Sequence, residues 1–168
     1  VIALRNMNSS PAYRRSENSA VLLKNAAGVI TRVFQVFSTL PGYAFFYTGL
    51  TAPLMKEVRY VVVYRESNTE FNMREVEVWS GHVNVARGGI ATQSAVQSSG
   101  TADKCIDGDI TVSGTTTCHS TVGDSWFQID LQSGYCVSEV TVYNYGDGST
   151  EDAKLNGFDI LLLDVNGK

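Results

Sequence analysis

The sequence predicts an all-β protein, a sandwich or jelly roll of short strands. Three observations carry that prediction. Several segments alternate apolar and polar residues with a period of two, which places one face in a core and the other toward solvent. Turn signals recur at short intervals between them. No amphipathic helix of ordinary length is present anywhere in the chain. With 168 residues, 43% of them hydrophobic and 18% charged, the chain is long enough for one packed domain and too apolar for wholesale disorder.

Taken in order, Val1–Leu4 and Ala20–Leu23 are short apolar runs separated by the polar loop Asn6–Asn18, which holds a glycosylation sequon at Asn8-Ser9-Ser10. Asn25-Ala-Ala-Gly28 is a turn. Val29–Phe37 alternates with β-branched and aromatic enrichment and is a strand, broken by Pro41-Gly42. Tyr43–Tyr47 is an aromatic strand. Val58–Tyr64 is the strongest strand of the chain. Met73–Trp79 alternates strictly, with Arg74, Val76 and Val78 on one face and Glu75, Glu77 and Trp79 on the other. Ile90–Gly100 reads as a polar stretch. Ala102–Asp109 holds a helical turn that ends at Gly108, and Ser113–Val122 reads as a loop. Ser125–Leu131 and Val137–Tyr143 are strands, Gly146–Ala153 is a polar loop, and Phe158–Asp164 is a last strand before the Asn166-Gly167 turn. Trp126 and Phe127 are both expected in the core. Trp79 is expected to pack at the edge of the sandwich.

Charge and cysteine content narrow the function classes. A net charge of −4 without a basic cluster argues against nucleic acid, whose binding rests on Lys and Arg meeting phosphates. No apolar stretch reaches the roughly 18 residues that span a bilayer. Cys105, Cys118 and Cys136 all lie in the second half. They are compatible with one disulfide and one leftover thiol, and the pairing stays open. A zinc site lacks the Cys-x-x-Cys spacing it needs. Neither His82 nor His119 lies beside a nucleophile motif, so no catalytic set emerges and the chain is expected not to be an enzyme. Val1 begins in mid-strand without an initiator Met or signal peptide, which leads us to expect a fragment.

A faint self-similarity runs between the two ends. When Val1-Ile-Ala-Leu4 is laid on Val140-Thr-Val-Tyr143, Val21-Leu-Leu23 falls on Ile160-Leu-Leu162 and Gly28 on Gly167 without a gap. Strand, polar loop, strand and glycine turn match in order and length, as a tandem array would produce.

Five stretches in series carry a family resemblance: Asn84-Val-Ala-Arg-Gly-Gly-Ile-Ala-Thr-Gln-Ser94, Ala102-Asp-Lys-Cys-Ile-Asp-Gly-Asp109, Ser125-Trp-Phe-Gln-Ile-Asp-Leu131, Val140-Thr-Val-Tyr-Asn144 and Leu155-Asn-Gly-Phe158. Together they resemble the discoidin, or coagulation-factor type C, family, and most closely its fucose-binding F-type lectin branch. The resemblance covers residues 84–168, and Val58–Trp79 is similar to the family's last two strands. It implies a jelly roll of the galactose-binding-like class. It also implies that residues 1–80 are the C-terminal part of one module and residues 81–168 the N-terminal part of the next. Alternatively, residues 29–168 form one circularly permuted sandwich, with 1–28 a redundant hairpin. The seam then brings Glu75 toward the turn at Asp107.

The site expectations follow from both sources. Asp107-Gly108-Asp109 puts two carboxylates around a glycine, a pattern able to converge on a hard cation that takes several oxygens. The resemblance implies Ca2+ there, held by Asp107, Asp109 and Glu75, the backbone carbonyl of Lys104, and an oxygen near Ser113. For a sugar it points to Gln128 and Tyr145, where the lectins carry arginines, and to Asp147, where they carry a cysteine pair. The basic groups that grip fucose are therefore absent. His119 remains a polar contact for a ligand.

The sequence thus leads us to expect a non-catalytic, extracellular or cell-surface module that binds glycans or glycoproteins, sits beside neighbouring repeats of its own chain, and is stabilised by Ca2+. The alternatives are an adhesive spacer that binds protein partners and an accessory module of a larger secreted enzyme.

Overall fold

In the computed structural model, side chains are described for residues 57–65, 70–111, 116–123, 125–145, 154–155 and 158–168. The strands at 2–5, 19–24, 30–36 and 43–47 are described by backbone alone. Twelve strands are seen among the described residues, and no α-helix.

The first sheet has the order β1-β12-β5-β10-β8. These are Ile2–Arg5, Asp159–Leu163, Val58–Arg65, Ser125–Tyr135 and Ile90–Gln93. The second has the order β4-β11-β6-β7, made of Tyr43–Tyr47, Glu139–Asn144, Asn72–Ser80 and Val83–Asn84, with the short β9 (Cys118–His119) also pairing with β6. A separate hairpin joins β2 (Ser19–Lys24) to β3 (Ile30–Val36). All the pairings are antiparallel.

Strands from before and after Ser80 interleave in both sheets, with β10 and β8, both after it, side by side at one end of the first. β5 lies between β12 and β10, and β6 lies between β11 and β7. The core forms where the inward faces meet. Val61 and Val63 of β5, Phe127 and Ile129 of β10, and Val76 and Val78 of β6 are buried, with Val140 and Val142 of β11 and Ile160 of β12. This is the period-two pattern of the sequence turned into two layers.

Trp126 departs from expectation. Phe127 takes the inward position, so its neighbour Trp126 must point outward, and Trp126 is 37% exposed. Trp79 is half-buried, with its Nε1 donating to Glu77 Oε2 at 3.2 Å. β7, β8 and β9 were read from sequence as junction, polar stretch and loop. Each is only two to four residues long, and its pairing with β6 or β10 defines it.

Cys105 and Cys118 form a disulfide with a Cα–Cα distance of 5.5 Å, and Cys136 is an exposed free thiol. The bond ties the 3-10 turn Ala102–Cys105 to β9. Among the described residues, no helix is long and apolar enough to cross a membrane.

Candidate functional site

The loops at one end of the second sheet form two adjacent features. The first is the turn that follows the 3-10 turn Ala102–Cys105, which contains Lys104. Gly108 has φ +84, a left-handed conformation natural to glycine, and a Cβ there would lie 2.8 Å from the Arg87 guanidinium carbon. The turn is held by its own acids. Asp107 Oδ1 accepts the Asp109 amide at 2.8 Å, and Asp109 Oδ1 accepts the Thr111 amide at 2.9 Å. The bond with Thr111 holds the Asp109 carboxyl below its usual range. Arg87 Nη2 donates to the Asp107 carbonyl at 2.9 Å.

Glu75 of β6 lies beneath this turn and is fully buried. Its Oε1 accepts the Gly108 amide proton at 3.1 Å, while its Oε2 has no hydrogen-bond partner among the described residues. Burial pushes the Glu75 carboxyl up to about 8. The Gly108 amide and Arg87 oppose that rise, and the charges of Asp107 and Glu77 add to it. Next to Glu75, Arg74 is also buried. It donates from Nε to the Asn144 carbonyl at 2.6 Å and from Nη1 to the Ile110 carbonyl at 2.7 Å. A register shift explains its position: Tyr143 lies opposite Glu75 and Asn144 opposite Met73, so Arg74 is the extra residue of a β-bulge.

The second feature is a polar groove of about 180 Å³, lined by Asn72, Gln97, Ser99, Thr117, His119 and Tyr145, with Gly100 in its wall. A Cβ at Gly100 would lie 2.7 Å from His119, so glycine is what lets the loop approach β9. Backbone bonds close that approach: the His119 amide donates to the Gly100 carbonyl and the Gln97 amide to the His119 carbonyl, both at 2.9 Å. His119 Nε2 lies 3.5 Å from Glu70 Oε2, and the other oxygen of Glu70 pairs with Lys154. The groove therefore presents an imidazole, a phenol, side-chain amides and hydroxyls. These are donors and acceptors suited to a neutral hydroxylated ligand.

The expected site residues are thus divided among three places. Glu75 meets the Asp107–Asp109 turn directly, and Lys104 lies in the helical turn leading into it. His119 and Tyr145 share the groove. Gln128 is on the outer face of the first sheet, in a different cleft with Tyr60 and Leu163. Ser113 and Asp147 lie outside the described residues. Among the described residues, no group of three or more His, Cys, Asp or Glu side chains converges as a metal site. The sequence reading missed Asn72, Gln97, Ser99 and Thr117 as groove residues, because scattered Ser, Thr and Asn in polar stretches carry no periodic signal. It also missed Arg87, whose role depends on its packing over Gly108.

The two antiparallel sheets form a β-sandwich of the galactose-binding-like class. Residues 104–167 match the family model of the NedA-like, galactose-binding domain. The match supports a discoidin-type reading of this segment, a type that serves generally as a non-catalytic binding module. No curated protein and no solved structure matches the chain significantly.

Proposed function

We propose that the protein is an extracellular carbohydrate-binding module whose ligand occupies the groove between β9, the 97–100 loop and Tyr145. The observation that carries this reading is the hydroxyl-, amide- and imidazole-bearing lining of that groove, beside a match to a galactose-binding domain. Side-chain amides and a tyrosine recognise sugar hydroxyls without needing a charged ligand. With the arginines of fucose-binding lectins replaced, the favoured ligands are galactose-like or other neutral sugars. The Cys105–Cys118 disulfide supports an oxidising compartment.

A bound Ca2+ accords with the adjoining turn. A fully buried carboxylate with one unpartnered oxygen is costly unless it is protonated or a cation neutralises it; among the described residues the acids do not yet converge as a metal site, so the ion would draw them together. Glu75, Asp107 and Asp109 would hold the ion with backbone carbonyls such as that of Lys104. The cation would supply charge neutralisation and fix the turn; chemistry on a substrate is no part of the reading. The interleaving of strands from both sides of Ser80 supports one sandwich permuted across that seam, although β1 rather than β3 joins its sheets, and the self-overlay favours a tandem array. Linked copies would raise the avidity of a shallow site.

Titration calorimetry with soluble mono- and oligosaccharides tests the groove. A neutral sugar should bind wild type and lose about tenfold or more in affinity with Tyr145→Ala or His119→Ala. Binding unchanged in both variants would overturn the assignment.

A further inference from the structure

A separate surface of the molecule has the chemistry of a second ligand site. On β10 the residues Phe127, Ile129 and Leu131 point inward, so Trp126, Gln128 and Asp130 point outward. The register sets Trp126 opposite Tyr64, Gln128 opposite Val62 and Asp130 opposite Tyr60 on β5, and Leu163 of β12 lies on the other side of Tyr60. Tyr60, Tyr64, Trp126 and Gln128 therefore share the outer face of the first sheet, an extended track with Val62, only 8% exposed, packed between them. At one end lies a cleft of about 430 Å³, lined by Tyr60, Gln128, Leu163, Val165, Asn166 and Gly167. At the other end Trp126 is 37% exposed.

Asp130 and Asp164 beside the track are engaged, while Asp159 of β12, opposite Tyr64, and the exposed Lys168 also border it. Arg59 grips Asp130 with two hydrogen bonds, Nε to Oδ1 at 2.8 Å and Nη2 to Oδ2 at 2.9 Å. The same guanidinium lies over the Tyr60 ring, 5.2 Å from its centroid, and fixes that ring. Asp164 Oδ1 accepts the amides of Asn166 and Lys168 at 2.8 and 3.0 Å, which makes the turn bearing Asn166 a rigid wall. None of the six cleft residues is charged. The lining offers an aromatic ring, two side-chain amides and aliphatic flanks, which complements a ligand that is neutral, hydroxylated on its edges and apolar on its ring faces. Tyr60 and Tyr64 are four residues apart on one strand, about 14 Å, which is longer than a single sugar ring.

We propose that this outer face is a second binding site, independent of the groove, for a neutral polysaccharide chain lying along β5 and β10 from Tyr60 to Trp126. Aromatic side chains held by a sheet lose little entropy on binding, and the extended track selects chains over single sugars.

Affinity electrophoresis in native gels tests it, with a neutral galactomannan and a neutral β-glucan as probes and polygalacturonate as the charged control. The expected result is retardation by at least one neutral polymer. Tyr60→Ala, Gln128→Ala and Trp126→Ala should each weaken it, the last by about tenfold. The three face variants are read in a His119→Ala background, which removes the groove's own contribution to sugar binding, and retardation by a neutral polymer should persist in that background. Trp126 and Gln128 are outward-facing, so their removal leaves the core intact, and a matching melting curve for each variant verifies this. Retardation by no neutral polymer, equal retardation of the three face variants, or preference for polygalacturonate would overturn the proposal and leave the groove standing. So would a wild-type dimer that Trp126→Ala converts to monomer, because the face would then be an interface between two copies.

Discussion

Glu75 and Gly108 form a half-satisfied pair. One carboxylate oxygen accepts the Gly108 amide proton at 3.1 Å, and the other is buried without a hydrogen-bond partner among the described residues. A buried ionised oxygen without a partner destabilises a fold unless it is protonated or meets a cation. The turn above it brings Asp107 and Asp109, so metal-free protein concentrates acidic groups with Arg87 as their nearby counter-charge.

Ca2+ should therefore raise the melting temperature of wild type. At a hundredfold excess over Kd the stabilisation is about 2.7 kcal/mol. Glu75→Gln keeps the shape and can still accept from Gly108 through its carbonyl, but it removes the charge. Its melting temperature in chelator should equal or exceed that of wild type at pH 8.5, and its Ca2+ response should vanish. Calorimetric melts of both proteins with Ca2+ and with chelator check this; a Ca2+ shift of the same size in Glu75→Gln would refute a role for the carboxylate in cation binding.

The same group gives a pH dependence with a defined sign. The Glu75 carboxyl is raised from 4.5 to about 8 in the folded protein, so between those values the unfolded chain loses a proton that the folded chain keeps. Its stabilising contribution is complete below pH 4.5 and disappears as the pH rises through about 8. In chelator, wild-type stability should fall between pH 5 and 9 with a component that Glu75→Gln lacks. Urea unfolding at several pH values measures the difference between the two slopes, and parallel profiles would exclude the assignment to Glu75.

Much of the fold was legible because its long strands carry a period of two. β5, β6, β10, β11 and β12 all lie where alternation places them, within one residue at most boundaries. β10 runs on to Tyr135 past a register shift after Asp130 that interrupts any periodic pattern, and β11 starts two residues later than read, at Glu139. β7, β8 and β9 were not legible, since two to four residues cannot display a period and only partner strands define them. At the site, Asp107-Gly108-Asp109 was visible because glycine between acids implies a tight turn. The burial of Glu75 was not visible, because an alternating pattern assigns it to a solvent face, and only the folding of the 106–109 turn over that face covers it. Similarly, Arg74 lies among inward-facing valines in the pattern, yet nothing local shows that two loop carbonyls await it.

The disulfide supports the groove as well as the fold. It closes a loop with a sequence separation of 13 residues and anchors β9, whose His119 lines the groove. Loop-closure entropy for that length gives about 3 kcal/mol. Cys105→Ser combined with Cys118→Ser should lower unfolding stability by about that amount. It should also weaken sugar binding, because the strand carrying His119 loses its covalent tie. Denaturant unfolding and calorimetric sugar titration of the double variant measure the two effects separately.

Arg74 links the two halves of the candidate site without touching either ligand position. Its Nη1 holds the Ile110 carbonyl just beyond the acidic turn, and its Nε holds the Asn144 carbonyl beside Tyr145 of the groove. Arg74→Met fills much of the same volume but leaves both part-buried carbonyls without their charged donor, a loss of about 1–3 kcal/mol for each charge-assisted bond. The variant should lose about 2–4 kcal/mol of stability. Of the contacts it breaks, one anchors each loop, so Ca2+ and sugar affinity should both fall at temperatures where the protein remains folded. Hydrogen exchange should report faster amides at 108–111 and at 144–145, with little change in β5 and β10. A variant that loses stability evenly across the core and keeps both affinities would show that Arg74 only packs the sandwich and does not position the loops.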